Sequence, residues 1–325
     1  MSIIKIKSST ELKTAVLFLV FNRPDLTIKS FEAIRKAKPL KLYVACDGPR
    51  SEKKGEEIII AEVKKIVNQV DWPCELKTLF QPKNLGLSYG VSNAITWFFE
   101  HEEQGIILED DILPHPDFFY YCETLLHKYK DNHRISTISG NNFQNGNKRG
   151  EASYYFSKYF HCWGWATWRR EWKFYEKKIS FWPQWKLSKD WINKFPDRVE
   201  RNYWKKIFEM MHQTDFNSFA YPFLASIMYR DKLNIAPNVN LVTNIGFGED
   251  ATHTKIKNSV HSNIPTQSLG NIIHPKIIEI NHDADKYDFD YAFNGRNLRF
   301  PRSWIIILKR ILYFALRKIR KLIKL

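Results

Sequence analysis

Three consecutive carboxylates, Glu109, Asp110 and Asp111, follow directly on the apolar run Gly105-Ile106-Ile107-Leu108. A short apolar run of this kind predicts a buried strand, so the acids fall at its carboxyl end. Three like charges in a row repel one another. The usual compensation is a hard divalent cation, which carboxylate oxygen binds well. In an open α/β sheet ligands bind at the carboxyl ends of the strands, so a cation held there sits at the mouth of a site. The competing reading is a solvated acidic turn.

The elements that would position the triplet alternate regularly. Residues 15–21 form a continuous apolar run stopped by Asn22-Arg23-Pro24, and 25–37 follow as a helix with Asp25 placed to cap it. Residues 41–46 predict a second strand ending in Asp47-Gly48-Pro49, then a charged helix over about 52–69. Residues 75–80 predict a third strand, and Asn84-Leu85-Gly86 leads into a helix at about 88–100. The strand before the triplet is the fourth. A helix at 117–130 and a strand near 135–139 come after it. Strand and helix recurring in this way imply an α/β fold with a Rossmann-like, mainly parallel sheet flanked by helices. Each strand end delivers polar residues or glycine: Asn22/Arg23, Asp47/Gly48, Asn84/Gly86 and the triplet. That pattern suits a nucleotide. There is no GxGxxG after the first strand and no GxxxxGK[ST], so the dinucleotide fingerprint and the P-loop are both unsupported.

Composition is that of a globular protein with a real core: 325 residues, 44% hydrophobic and 26% charged. Eleven Trp and an aromatic share of 15% are high, and such side chains fill cores or line pockets for ring-shaped ligands. Much of this aromatic content lies between about 150 and 230, including Trp163-Gly164-Trp165. The four cysteines are widely spaced without a CxxC pair, which argues for reduced thiols over a zinc site or disulfide framework. The N-terminal stretch has no long apolar region, so no secretory peptide is expected. Residues 255–301 are polar with several Pro and Asp and predict an irregular wrap.

The net charge of +15 is unevenly placed. Residues 302–325 hold eight Lys and Arg and no acid, so this tail carries +8 of it. Its apolar residues recur at helical spacing, interrupted by cations, with no apolar stretch near the about 20 residues that span a bilayer. A basic amphipathic helix lying on an anionic membrane surface fits this pattern, with a helix packed back on the domain as the alternative. A tail this apolar is poorly suited to tracking phosphates, so no nucleic-acid partner is expected.

Taken together, VFNRP (20–24), ACDGPR (45–50), NLGLSYGVSNA (84–94), LEDDILPHPDFF (108–119), CWGWATWRREW (162–172) and NIGFGEDATHT (244–254) resemble the GT-A glycosyltransferases. Within them the similarity is to the inverting N-acetylglucosaminyltransferase I-like and family 2-like bacterial enzymes. The resemblance implies a GT-A domain over 1–254, with a nucleotide-binding half at 14–140 and an acceptor half at 141–254. It implies transfer from a UDP-sugar to a hydroxyl of a cell-envelope glycan or lipid-linked acceptor, with inversion, at the inner face of the cell membrane. Carried over by position, Arg23 and Asp47 meet the nucleotide, with Asp47 near the base, and the strand-end series adds Asn84 and Gly86 to the nucleotide site. Glu109 and Asp110 meet ribose or donor sugar. Asp111 ligates Mn2+ or Mg2+, with His253 as second ligand. Trp163-Gly164-Trp165 wall off donor from acceptor, and Thr252 closes over the diphosphate.

The chain departs from this family at the general base. Relatives place an acid in an aromatic-flanked segment that here reads Phe219-Ala220-Tyr221, with Ala220 in the acid's place. Asp250 is the expected replacement and Asp215 the next choice. Two other functions compete. A sugar nucleotidyltransferase would need the Gly-rich loop that Asn22-Arg23-Pro24 lacks. A non-enzymatic basic membrane-binding module would explain the tail and leave the triplet without a role.

Overall fold

The computed structural model describes residues 3–4, 11–248 and 261–305. Its elements in chain order are β1 (Ile3–Ile4), β2 (Val16–Val20), α1 (Pro24–Ala37), β3 (Lys41–Cys46), α2 (Glu56–Val67), β4 (Glu75–Phe80), α3 (Gly86–His101), β5 (Gln104–Glu109), β6 (Ile112–Pro114) and α4 (Pro116–Lys128). There follow β7 (Ile135–Ser139), β8 (Tyr154–Ser157), β9 (Trp165–Trp168), α5 (Arg169–Trp172), α6 (Trp182–Trp185), α7 (Lys189–Lys194), α8 (Arg198–Gln213) and α9 (Ala220–Tyr229). The last are β10 (Leu233–Pro237), β11 (Val242–Asn244), β12 (Ile272–Ile273) and α10 (His282–Tyr291).

Eight strands form the main sheet in the order β4-β3-β2-β5-β9-β7-β10-β8. Pairings β4–β3, β3–β2, β2–β5 and β7–β10 are parallel, while β9 runs against both β5 and β7, and β8 against β10. The fold is therefore the mixed, mostly parallel α/β sheet that the alternation predicts. β2 (VLFLV) and the middle of β5 (GIIL) are apolar throughout because helices cover both faces. Along β2 the period of two divides the core: Val16, Phe18 and Val20 pack with Phe31 and Ile34 of α1 and Val63 of α2, whereas Leu17 and Leu19 pack with Ile95 and Phe98 of α3. Register then levels the strand ends, with Leu19 opposite both Ala45 and Glu109. The loops after β2, β3 and β5 consequently open at one edge. The end of β7 reaches the same edge, and so does the start of β9, because β9 is reversed.

Three expectations need correction. Asp25 does not cap α1. Pro24 starts the helix one residue earlier, since its missing N–H costs nothing at the first position, and Asp25 falls in the first turn. The described part of the wrap is not irregular throughout: β12 pairs with β1, and α10 is a ten-residue helix capped by the Asn281 side chain on the Ala284 N–H. This helix escapes a hydrophobic-period reading because its buried face includes Asp285 and Asp288 beside Ala284 and Phe289. Lastly, Trp165 does not line a site. It is 1% exposed and packs among Phe160, Trp172 and Phe223. Its neighbour Gly164 has φ +60, and a Cβ there would meet Val242 at 2.8 Å, so a glycine is needed to turn the chain against β11. Trp165→Ala is expected to lower unfolding free energy by about 3–5 kcal/mol in denaturant titration, with Trp163→Ala costing clearly less.

The tail assigned to the membrane lies outside the described residues from 306 onward. Among the described residues no helix is long and apolar enough to cross a membrane.

Candidate active site

The triplet stands where its sequence places it, at the end of β5 in the middle of the sheet. Two of its three carboxylates are met by Arg23, a residue that the resemblance places at the nucleotide. The Arg23 guanidinium donates to Oδ1 of Asp110 at 2.6 Å and to Oδ2 of Asp111 at 2.9 Å. Burial opposes the charge on Arg23, but the two carboxylates outweigh it and hold its pKa above the ordinary value. Asp110 is otherwise used by the fold: its Oδ2 accepts the Phe21 N–H at 3.3 Å and its carbonyl accepts the Ser30 hydroxyl. Burial pushes the Glu109 carboxyl well up, and the neighbouring Asp111 and Asp110 push it further. Asp110 thus fixes the loop, while Glu109 and Asp111 face a cavity.

Behind Asp111 lies the short pair β6–β11, with Ile112 opposite Asn244. The Ile245 N–H donates to the Asp111 carbonyl at 2.9 Å. The next residue, Gly246, is so close that a Cβ would sit 2.1 Å from Asp111 Oδ2. Gly246 lies within the motif NIGFGEDATHT, and nothing in the sequence alone marks it out.

Two cavities adjoin at this edge, sharing Leu87. The smaller, 230 Å³, lies over the ends of β2, β3 and β4 and is lined by Phe21, Asp47, Arg50, Gln81, Asn84 and Gly86 among others. Asp47 proves to be an organiser of this slot. Its oxygens accept the N–H groups of Gly48, Leu85 and Gly86 at 2.9–3.1 Å, so one carboxylate satisfies the open start of α3 from 38 residues away. Burial raises its pKa and these N–H groups hold it down, with the balance upward. Asn84 completes the clasp by donating to the Gly48 carbonyl at 2.9 Å, and Gly86 supplies the φ of +77 that the turn requires. Arg50, unassigned from sequence, pairs with Glu56 and lies over the Phe21 ring at 5.4 Å.

The larger cavity, 650 Å³, runs from Glu109, Asp111 and Arg23 across Trp163, Asn141, Phe143 and His161 to Tyr203, Tyr221 and His261. Trp163 lies in its wall, edge-on to Phe143 and to Phe247. Ala220 also lines it, so the position expected to carry an acid presents a methyl group to the cavity. Cys162 is half-buried in the same wall, and burial, with the Glu109 and Asp111 carboxylates adding to it, pushes its thiol pKa up. Asp215 is not brought here. It is 64% exposed and bonded to Lys177 at 2.7 Å, which lowers its pKa and suits a surface ion pair better than a base. Asp250, Thr252 and His253 lie outside the described residues. A still larger groove of 1420 Å³ opens at the opposite, amino edge of the strands beside Thr14 and Gln104 and holds none of these groups.

Among the described residues no three acids, cysteines or histidines converge as a protein cage for a metal. Glu109 and Asp111 do share one cavity wall. A Mg2+- or Mn2+-type ion bound by one or two carboxylates and completed by phosphate oxygens and water needs no more than that. Glu109 and Asp111 could therefore hold such an ion.

No family model matches the sequence, and no curated protein matches it. Among solved structures, the chain is similar to a UDP-glucose pyrophosphorylase crystallised with UDP-glucose, at 12% identity and TM-score 0.36 over 70% of this chain and 90% of that one. It is also similar to HddC from Yersinia pseudotuberculosis, at 10% identity and TM-score 0.31 over 52% and 83%. A third is S. aureus TarS 1-349, at 15% identity and TM-score 0.33 over 50% and 48%. At such values none of them assigns a function to this chain.

Proposed function

We propose that this protein is a metal-dependent glycosyltransferase that moves a sugar from a UDP-sugar to a hydroxyl of a glycan or lipid-linked acceptor, with inversion. The observation that carries the reading is the pair Glu109 and Asp111 at the end of a central strand, at the wall of a 650 Å³ cavity that adjoins a 230 Å³ slot. The slot, clasped by Asp47 and Asn84, takes the nucleoside. The carboxylate wall takes the metal-diphosphate, and the wide cavity takes the donor sugar and the acceptor side by side. Asp111 holds the ion, which when bound offsets the charge that grows on the leaving nucleoside diphosphate. Arg23 keeps Asp110 and Asp111 in place despite their mutual repulsion. Trp163 offers an aromatic face to a sugar ring. The basic segment 302–325 would hold the enzyme on an anionic cytoplasmic membrane face near such acceptors.

Incubation with Mn2+ and a panel of UDP-sugars, with octyl glycosides as acceptors, is expected to release UDP and form a glycosylated octyl product. Release of pyrophosphate from UTP and a sugar 1-phosphate, without UDP release from any donor, would instead make it a nucleotidyltransferase.

A further inference from the structure

The acceptor hydroxyl must lose its proton, and the residue in the family acid's place is Ala220. The same cavity is lined by a histidine with a buried carboxylate behind it. His161 follows β8 and approaches the start of β9. Its backbone N–H and carbonyl both engage the Ser139 hydroxyl, at 3.3 and 3.0 Å, which ties it to the end of β7. Its ring is fixed edge-on to Phe143, with centroids 4.9 Å apart, and stacked on Phe293 at 6.1 Å. Nε2 lies 3.0 Å from Oδ2 of Asp288 on the inward face of α10. The Asp288 side chain is 1% exposed, and its Oδ1 accepts the Gln144 amide at 2.5 Å. A carboxylate in that position keeps the ring proton on Nε2, so Nδ1 carries the lone pair. Nδ1 has no hydrogen-bond partner among the described residues, and His161 lines the cavity.

Asn141 supplies a second, independent observation. It is 1% exposed and lines the same cavity, yet neither its amide oxygen nor its nitrogen has a partner among the described residues. A buried amide without partners costs free energy, and a ligand with hydroxyl groups satisfies both of its atoms.

We propose that His161, oriented by Asp288, accepts the proton of the acceptor hydroxyl, and that Asn141 binds hydroxyl groups of the sugar bound beside it. This rests on the glycosyltransferase reading above. As the acceptor oxygen bonds to the anomeric carbon, the bond from that carbon to the diphosphate oxygen breaks and its electron pair leaves with the nucleoside diphosphate. The hydroxyl proton passes to Nδ1, and the resulting imidazolium is stabilised by Asp288, a positioning residue. An imidazole is well suited to this task because its ordinary pKa lies near neutrality.

The test uses the full-length protein with Mn2+ and two readouts: UDP affinity by calorimetry, and UDP release from the UDP-sugar panel with octyl glycosides. His161→Ala is expected to keep UDP affinity within threefold and to lose about 10²–10⁴-fold in turnover. Added imidazole, entering the vacated space, should recover at least tenfold. Asp288→Asn should lower turnover by about tenfold or more at unchanged UDP affinity, with no response to imidazole, because its own ring is still in place. If His161→Ala keeps near-normal turnover, or loses it with no imidazole recovery while His161→Gln retains it, the proton acceptor lies elsewhere. If the wild-type protein binds UDP but releases none from any donor, the transferase reading fails first and takes this proposal with it.

Discussion

Asparagine in place of Asp111 is expected to slow UDP release from a UDP-sugar by at least about a hundredfold, or about 2.7 kcal/mol of transition-state stabilisation. It is also expected to abolish the Mn2+ dependence of UDP binding, read by calorimetry with and without the ion. The substitution keeps the side chain's volume and leaves an oxygen for Arg23, so the melting temperature should move little. Asp110→Asn should behave in the opposite way. Both Asp110 oxygens are engaged, one by Arg23 and one by the Phe21 N–H, and an amide nitrogen cannot accept either bond. Its cost should appear as stability, on the order of the 1–3 kcal/mol that a lost buried acceptor brings. Arg23→Met should be worse still, because it leaves adjacent buried carboxylates without a counter-charge. In that variant Mn2+ should raise the melting temperature more than in the wild type, since the ion then provides the only compensation. An Asp111→Asn protein with normal turnover and intact Mn2+ response would remove Asp111 from the metal's ligands.

These contrasts mark what the sequence carries and what it does not. Strands at 41–46, 75–80 and 135–139 fall where the sequence places them; 75–80 is a half-exposed edge strand stopped by Gln81-Pro82, whereas the strand at 41–46 is buried along nearly its whole length and so shows in its hydrophobic residues. The triplet's position after a central strand was legible for the same reason. Its electrostatics were not. Repulsion among three acids suggested a cation, yet the structure supplies Arg23, some 87 residues away in the chain, as a standing counter-ion. The spacing of residues also gave Asp47 and Asn84 separate roles at a ligand. In the fold they meet each other's loops first, and only then shape the slot. Hardest to see was the pairing of His161 with Asp288, 127 residues on, which sits on a helix whose inward face is partly acidic and so does not show as amphipathic. Periodicity reports burial of apolar surface. It says nothing about polar side chains that are buried because they pair.

Gly246→Ala is expected to damage the site more than any other single-methyl change. The added Cβ would stand 2.1 Å from Asp111 Oδ2, 2.6 Å from Asp111 Cβ and 2.7 Å from an Arg23 nitrogen, all inside the distance that real Cβ atoms keep. No flexible tip can simply swing aside. Asp111 is held by its backbone bond to Ile245 and its ion pair, and Arg23 is held by both Asp110 and Asp111. Relief must come from rotating the Asp111 carboxylate or from pushing β11 away from β6. Either move shifts the oxygen proposed to hold the ion by a substantial part of an ångström, and misplacement on that scale costs about a hundredfold in a positioned reaction. Overpacking should cost a further 1–3 kcal/mol or so in stability. Gly248→Ala is the matched control, because nothing among the described residues lies within 4 Å of its added Cβ. Turnover in the Gly248 variant should stay within about twofold of wild type, while the Gly246 variant loses both turnover and Mn2+-dependent UDP binding. Equal behaviour of the two variants would show that Asp111 is free to move without loss, and that the close seat built for it by β6 and β11 has no part in the chemistry.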